Sequence, residues 1–118
     1  MEVSFHHSDV PTTIPREASL CLFRVLQESL QNAVKHSGVR SFEVRLVGKP
    51  CAIELTVSDN GSGFNVQEAF LNSGLGLVSM RERIQIVRGE MEIRSSPGAG
   101  TTICVRVPWC REEQAIAG

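Results

Sequence analysis

The sequence predicts an α+β domain: a two-layer α/β sandwich in which helices cover one face of a mixed, mostly antiparallel sheet. Three observations predict it. Apolar residues recur first at helical and then at alternating spacing, in the order helix, hairpin, loop, helix, hairpin. The turns at Gly48-Lys49-Pro50 and Ser96-Pro97-Gly98-Ala99-Gly100 are short enough to join antiparallel neighbours. A chain of 118 residues, 42% hydrophobic and 21% charged, makes one domain with apolar material for a real core. That core is expected over about residues 3–108, and residues from Cys110 onward are expected to fray. Parallel βαβ units are not expected, because they need different connections.

In chain order, Val3 and Phe5 suit a short edge strand. Pro15 suits the first turn of a helix, with Thr12 or Thr13 near its cap and Gly38 at its end, so the helix is predicted over about Pro15 to Ser37. Leu22, Phe23, Leu26, Leu30 and Ala33 form its expected buried stripe. Glu28, Asn32 and Lys35, at i, i+4 and i+7, stack on a polar face beside it, flanked by Gln31 and His36. Taken alone, such a face is most often simply solvated.

Phe42, Val44 and Leu46 alternate with Glu43 and Arg45, and the strand from Ala52 to Asp59 follows the turn. Ile53, Leu55 and Val57 share a face, and Asp59 falls in the same set. A carboxylate at the inner mouth of a core-facing strand must find hydrogen bonds or bear a desolvation cost. It opens Asp59-Asn60-Gly61-Ser62-Gly63, where glycines let backbone approach a ligand closely, although Asp-Asn-Gly is also a common turn. Phe64 to Ser73 has no period and reads as a mobile segment between glycines, suited to a lid.

Gly74-Leu75-Gly76-Leu77 then leads into a second amphipathic helix marked by Leu77, Met80, Ile84 and Val87 and terminated at Gly89. Met91 and Ile93 belong to a third hairpin strand, and Ile103, Val105 and Val107 to a fourth. Thr101 shares their parity, so it too is a polar residue at the inward end of a buried pattern.

Several function classes are excluded or weakened. A net charge of -1 leaves no electrostatic footprint for nucleic acid or an anionic membrane. No apolar run approaches the roughly 20 residues of a membrane span, so direct membrane contact is not expected. His6 and His7 lack a spaced carboxylate or thiol and do not read as a metal site. Cys21, Cys51, Cys104 and Cys110 are far apart and are expected to be free thiols in a reducing compartment. The glycine loops form neither a Walker A element nor a dinucleotide fingerprint.

Three elements nevertheless stand in one order: Gln27-Glu28-Ser29-Leu30-Gln31-Asn32-Ala33-Val34-Lys35-His36 on a helix, Asp59-Asn60-Gly61-Ser62-Gly63 after a strand, and Gly74-Leu75-Gly76-Leu77 before a helix. Together they closely resemble the N, G1 and G2 boxes of the Bergerat-type, or GHKL, ATP-binding domain (HATPase_c) shared by gyrase, the Hsp90 chaperones, sensor histidine kinases and the mismatch-repair protein MutL. The Gln-Glu-Ser-x-x-Asn-Ala-x-Lys-His run, the short lid and Gly76-Leu77-Val78-Ser79-Met80-Arg81-Glu82-Arg83 resemble more narrowly the two-component kinases that pair with NarL/LuxR-type response regulators.

The resemblance implies ATP and Mg2+ as cofactors. It implies that Asp59 accepts a hydrogen bond from the adenine amino group, with Thr101 supporting the same edge, commonly through a water, and Gly61 and Gly63 leaving room for the base and for the entry of the lid. It implies Asn32 as magnesium ligand, Glu28 as the residue that orients a magnesium-bound water or acts as base, Lys35 as a charge for phosphate, and His36 at the ribose or phosphates. Gly74, Leu75, Gly76 and Leu77, opening a helix, would hold the phosphate chain. The implied function is the catalytic domain of a cytoplasmic sensor histidine kinase whose parent protein can be anchored in the inner membrane. The expected partners are a phosphoacceptor histidine on a dimerisation helix not found in this chain and, indirectly, a response regulator receiver domain. Alternatives are a serine kinase of the anti-sigma type, a hydrolysing clamp, and a non-catalytic protein-contact module of the same fold.

Overall fold

A computed structural model of the chain describes residues 2–35, 39–63, 65 and 76–109. The elements, in order, are β1 (Glu2–Ser8), α1 (Arg16–Lys35), β2 (Ser41–Lys49), β3 (Ala52–Asp59), α2 (Leu77–Ile86), β4 (Glu90–Ser95) and β5 (Thr101–Pro108). The five strands form one sheet in the order β1-β2-β3-β5-β4. Three of the four pairings are antiparallel, as expected. The fourth, β1 with β2, is parallel, which makes the sheet mixed as expected and makes β1, α1 and β2 a βαβ unit, which was not expected. The 20-residue helix is long enough to carry the chain back to the starting end of the sheet.

Both helices pack on one face. Phe42, Val44, Ile53, Leu55, Val57, Ile103, Val105 and Val107 are buried there, and Val25, Leu77, Met80 and Ile84 meet them from the helices. Each such side chain contributes on the order of 2 kcal/mol through removal from water. The other face carries Glu92, Arg94, Thr56, Thr102 and Cys104, a polar surface consistent with an antiparallel sheet covered on one side.

The buried arc of α1 differs from the predicted stripe at Phe23; Leu22 and Ala33 are buried and Leu26 and Leu30 are half-buried against the core, as expected. The arc consists of Ala18, Cys21, Leu22, Val25, Ser29 and Ala33, whereas Phe23 is 57% exposed. Two residues advance a helix by about 200°, so with Val25 at the centre of the buried arc, Phe23 points away from the sheet. Burial pushes the Cys21 thiol up from its ordinary pKa, and the Arg83 guanidinium opposes part of that shift.

The end of α2 also departs from expectation. The left-handed residue is Arg88, at φ 59, and the Arg88 and Gly89 N–H groups donate to Gln85 and Ile84 carbonyls at 3.0 and 2.8 Å. Cys21 and Cys104 are free, but Cys51 is disulfide-bonded, which overturns the expectation of four free thiols. Its partner lies outside the described residues. None of the described helices is long and apolar enough to cross a membrane.

Candidate functional site

The register of the sheet builds one end of the site. Asp59 pairs with Phe42 on one side and with Thr101 on the other, one step beyond the Val57 pairings with Val44 and Ile103. Asp59 and Thr101 are therefore cross-strand neighbours on the helix-covered face, as their parity predicted. They line a cleft whose walls are Val39, Phe42, Val57 and Ile103, with Gly61, Ser62 and Gly63 at one side and Ser29 and Asn32 of α1 above. Apolar walls with a few polar groups suit a planar heteroaromatic ring.

The loop after β3 is held by its own side chains. Asp59 Oδ1 accepts the Gly61 N–H at 2.9 Å, so the Asx turn anticipated as the plain alternative is present alongside the site. Asp59 Oδ2 has no hydrogen-bond partner among the described residues. Asn60 Oδ1 accepts the N–H groups of Arg40 and Ser41 at 2.9 and 3.0 Å, which ties the entry of β2 to this loop.

The glycines here answer to protein rather than to ligand. A Cβ on Gly61 would lie 2.5 Å from Val39 Cγ2, and one on Gly63, which sits at φ 69, would lie 2.1 Å from the Ser96 carbonyl oxygen. The Gly98 N–H donates to the Ser62 carbonyl, so the loop at 60–63 and the turn at 96–100 interlock. Beside them Ser95 Oγ donates to the Gly100 carbonyl at 2.9 Å and lies 2.9 Å from Thr101 Oγ1.

The other end of the site is made by helices. Glu28, one turn before Asn32 on α1, reaches the start of α2: a Cβ on Gly76 would lie 2.5 Å from Glu28 Oε2. Gly76 is the N-cap of α2, at φ 68, with no side-chain cap, so the first N–H groups of that helix are offered by backbone alone. Leu77 contributes only backbone, since its side chain is fully buried. Lys35 is exposed at the last turn of α1 and does not line the cleft. His36, Gly74 and Leu75, and the expected lid apart from Asn65, lie outside the described residues.

Asn32, Asp59, Gly61, Gly63 and Thr101 are thus brought together, with Glu28 and Gly76 meeting nearby. Sequence reasoning missed Ser29. Ser29 lines the cleft, is 4% exposed, and its Oγ has no hydrogen-bond partner among the described residues. The signal for it was its place beside Glu28 and one turn before Asn32, at the junction of the apolar and polar stripes.

No group of three or more His, Cys, Asp or Glu among the described residues could hold a metal ion. A magnesium ion delivered with phosphates needs only one or two protein oxygens, and the Asn32 amide in the cleft fits that demand.

Comparison with known proteins gives one family and a set of longer relatives. The model of the histidine kinase-, DNA gyrase B- and HSP90-like ATPase family matches residues 17–111. The signal transduction histidine-protein kinase/phosphatase DegS of Brevibacillus brevis is 35% identical over 111 residues, covering 94% of this chain and 28% of DegS. Sensor protein VraS of Staphylococcus epidermidis is 37% identical over 102 residues, covering 86% of this chain and 29% of VraS. Among solved structures, the histidine kinase domain of the blue-light activated histidine kinase EL346 from Erythrobacter litoralis matches with a TM-score of 0.72. It is 25% identical, and the match covers 98% of this chain and 55% of that one. The chain therefore spans less than a third of the length of these curated relatives.

Proposed function

The chain belongs to the histidine kinase-, DNA gyrase B- and HSP90-like ATPase family, and we propose from that premise that it is the ATP-binding catalytic domain of a sensor histidine kinase. The observation that carries the nucleotide reading is the Asp59 carboxylate at the edge of an apolar-walled cleft, beside Thr101 and below Asn32. An acceptor-only group at that edge matches the 6-amino donor of adenine and opposes the 6-oxo acceptor of guanine. Phe42, Val57 and Ile103 pack the base, and the triphosphate runs toward Asn32 and the start of α2.

At that end the uncapped N–H groups of α2 and the positive end of its dipole favour phosphate oxygens. Asn32 offers one oxygen to magnesium, which when bound offsets charge on the phosphates. Glu28 is placed to orient a metal-bound water or to act as a base, and Lys35 adds a point charge near the rim. His36, Gly74 and Leu75 complete the phosphate end in this assignment. Phosphoryl transfer needs positioning more than covalent help, so the domain presents the γ-phosphate while another segment supplies the nucleophile. That nucleophile is a histidine on a dimerisation helix, and a receiver domain of the NarL/LuxR type takes the phosphoryl group next. The setting is the cytoplasm.

The test is thermal unfolding of the purified chain with ATP, ADP or GTP, with magnesium or with EDTA. Ligand at a hundred times its Kd adds about 2.7 kcal/mol and raises the midpoint by several degrees. A magnesium-aided shift with ATP and ADP but not GTP is expected. No shift with any nucleotide at millimolar concentration overturns the reading.

A further inference from the structure

We propose that β1 is a self-association edge: two copies of this chain pair their β1 strands antiparallel about a two-fold axis at Phe5, joining two five-stranded sheets into one. The inference is independent of the nucleotide reading and requires no ligand. The sheet ends in two strands, β1 and β4, and they are finished differently. β4 carries Glu90, Glu92 and Arg94 in alternation, all exposed, charges of the kind that keep sheet edges from pairing. β1 is seven residues long, and beyond Glu2 it has no acidic residue, lysine, arginine or proline. Val3 and Phe5 are each 55% exposed on it. An edge that is long, apolar and unguarded is a strand-pairing surface.

Register identifies the backbone groups available for pairing. Glu2 pairs with Ser41, and its N–H donates to the Arg40 carbonyl at 2.8 Å. Backbone groups along a strand turn to alternate sides, so Glu2, Ser4, His6 and Ser8 bond β2, while Val3, Phe5 and His7 direct N–H and C=O to the open edge. Phe5 is the middle residue of Glu2–Ser8, so a two-fold axis there pairs the whole strand. Phe5 then faces Phe5 of the second copy, and each Val3 faces the His7 of the other copy, outward pairs that exchange about six hydrogen bonds. Ser4 faces His6 and Glu2 faces Ser8, so no like charges oppose across the axis. Val3 and Phe5 align with Phe42 and Val44, which puts their side chains on the helix face, where α1 lies over β3 and β5 and leaves them uncovered. Pairing brings the two Phe5 rings together and removes this apolar surface from water.

The experiment is sedimentation equilibrium of the purified chain over about 10 µM to 1 mM, the range in which a small interface associates, with residue-resolved amide exchange at both ends of that range. The mass is expected to rise reversibly from one chain toward two. The amides of Val3, Phe5 and His7 are expected to exchange about fivefold more slowly at the high concentration, while those of Ser4, His6 and Ser8 are protected at both. Phe5→Asp sets two carboxylates face to face at the axis, and Phe5→Pro removes the central outward N–H without touching the residues that bond β2. Both variants are expected to stay monomeric throughout. The exchange pattern tests the pairing in the wild-type chain alone, whether or not a variant folds. A wild-type chain that remains monomeric, a dimer that survives in either folded variant, or slowed exchange confined to amides other than those of Val3, Phe5 and His7 overturns the proposal and leaves the nucleotide reading standing.

Discussion

The two ends of the cleft are built in different ways. At the base end, three strands in register fix Phe42, Asp59 and Thr101 side by side, and two glycine loops lock behind them. At the phosphate end, Glu28 and Gly76 meet where two helices approach each other, and Lys35 stands exposed at the end of α1. A ladder positions neighbouring side chains through paired backbone, whereas helix ends offer unpaired N–H groups and long side chains. On the proposed function, this difference predicts a base end that is preorganised and costs little ordering on binding, and a phosphate end whose exposed charges act through water-screened attraction.

Three substitutions test that contrast. The largest effect is expected for Gly63→Ala. Its φ of 69 and the 2.1 Å approach to the Ser96 carbonyl force the interlocked loops apart. A loss of about 3 kcal/mol, or about 10 to 20 °C in the unfolding midpoint, is expected by calorimetry. A loss below about 1 kcal/mol would show that the base end is not locked in this way.

Asp59→Asn comes next. The amide oxygen can still accept the Gly61 N–H, so the unliganded midpoint should stay within about 2 °C of the wild type, since the turn is preserved. Loss of the charged acceptor and the new amide donor facing the adenine amino group should weaken ATP by about tenfold to a hundredfold. Equal ATP affinity in the two proteins would remove Asp59 from the site.

The smallest effect is expected for Lys35→Ala. An exposed cation contributes through screened attraction, so ATP binding should weaken about twofold to threefold at low salt, and the difference should vanish near 0.5 M salt. A salt-independent loss of ten-fold or more would mean that Lys35 makes a fixed, desolvated contact, and the contrast between the two ends would fail.

Alternation along β3 and β5 determined, without coordinates, that Asp59 and Thr101 face the helices, because a strand has only two faces and the apolar residues claim one. The same local logic located both helices, the two hairpins and the glycine loops. It also gathered Asn32 and Glu28 on one side of α1, since i and i+4 must neighbour each other in any helix.

Other features required partners distant in sequence. Helical spacing lists which residues share an arc but not which arc meets the sheet. The arc that does is filled with Ala18, Cys21, Ser29 and Ala33, small residues that allow close approach, while the bulkier Phe23 points away. Ser29 reads as an ordinary polar helix residue until the fold buries its hydroxyl, which has no partner among the described residues. The parallel pairing of β1 with β2 and the bonded state of Cys51 likewise follow from chain segments meeting in space. Period is a property of one segment and can be read from it. Burial, pairing and hydrogen-bond satisfaction are properties of two segments in contact, and only the tertiary structure decides them.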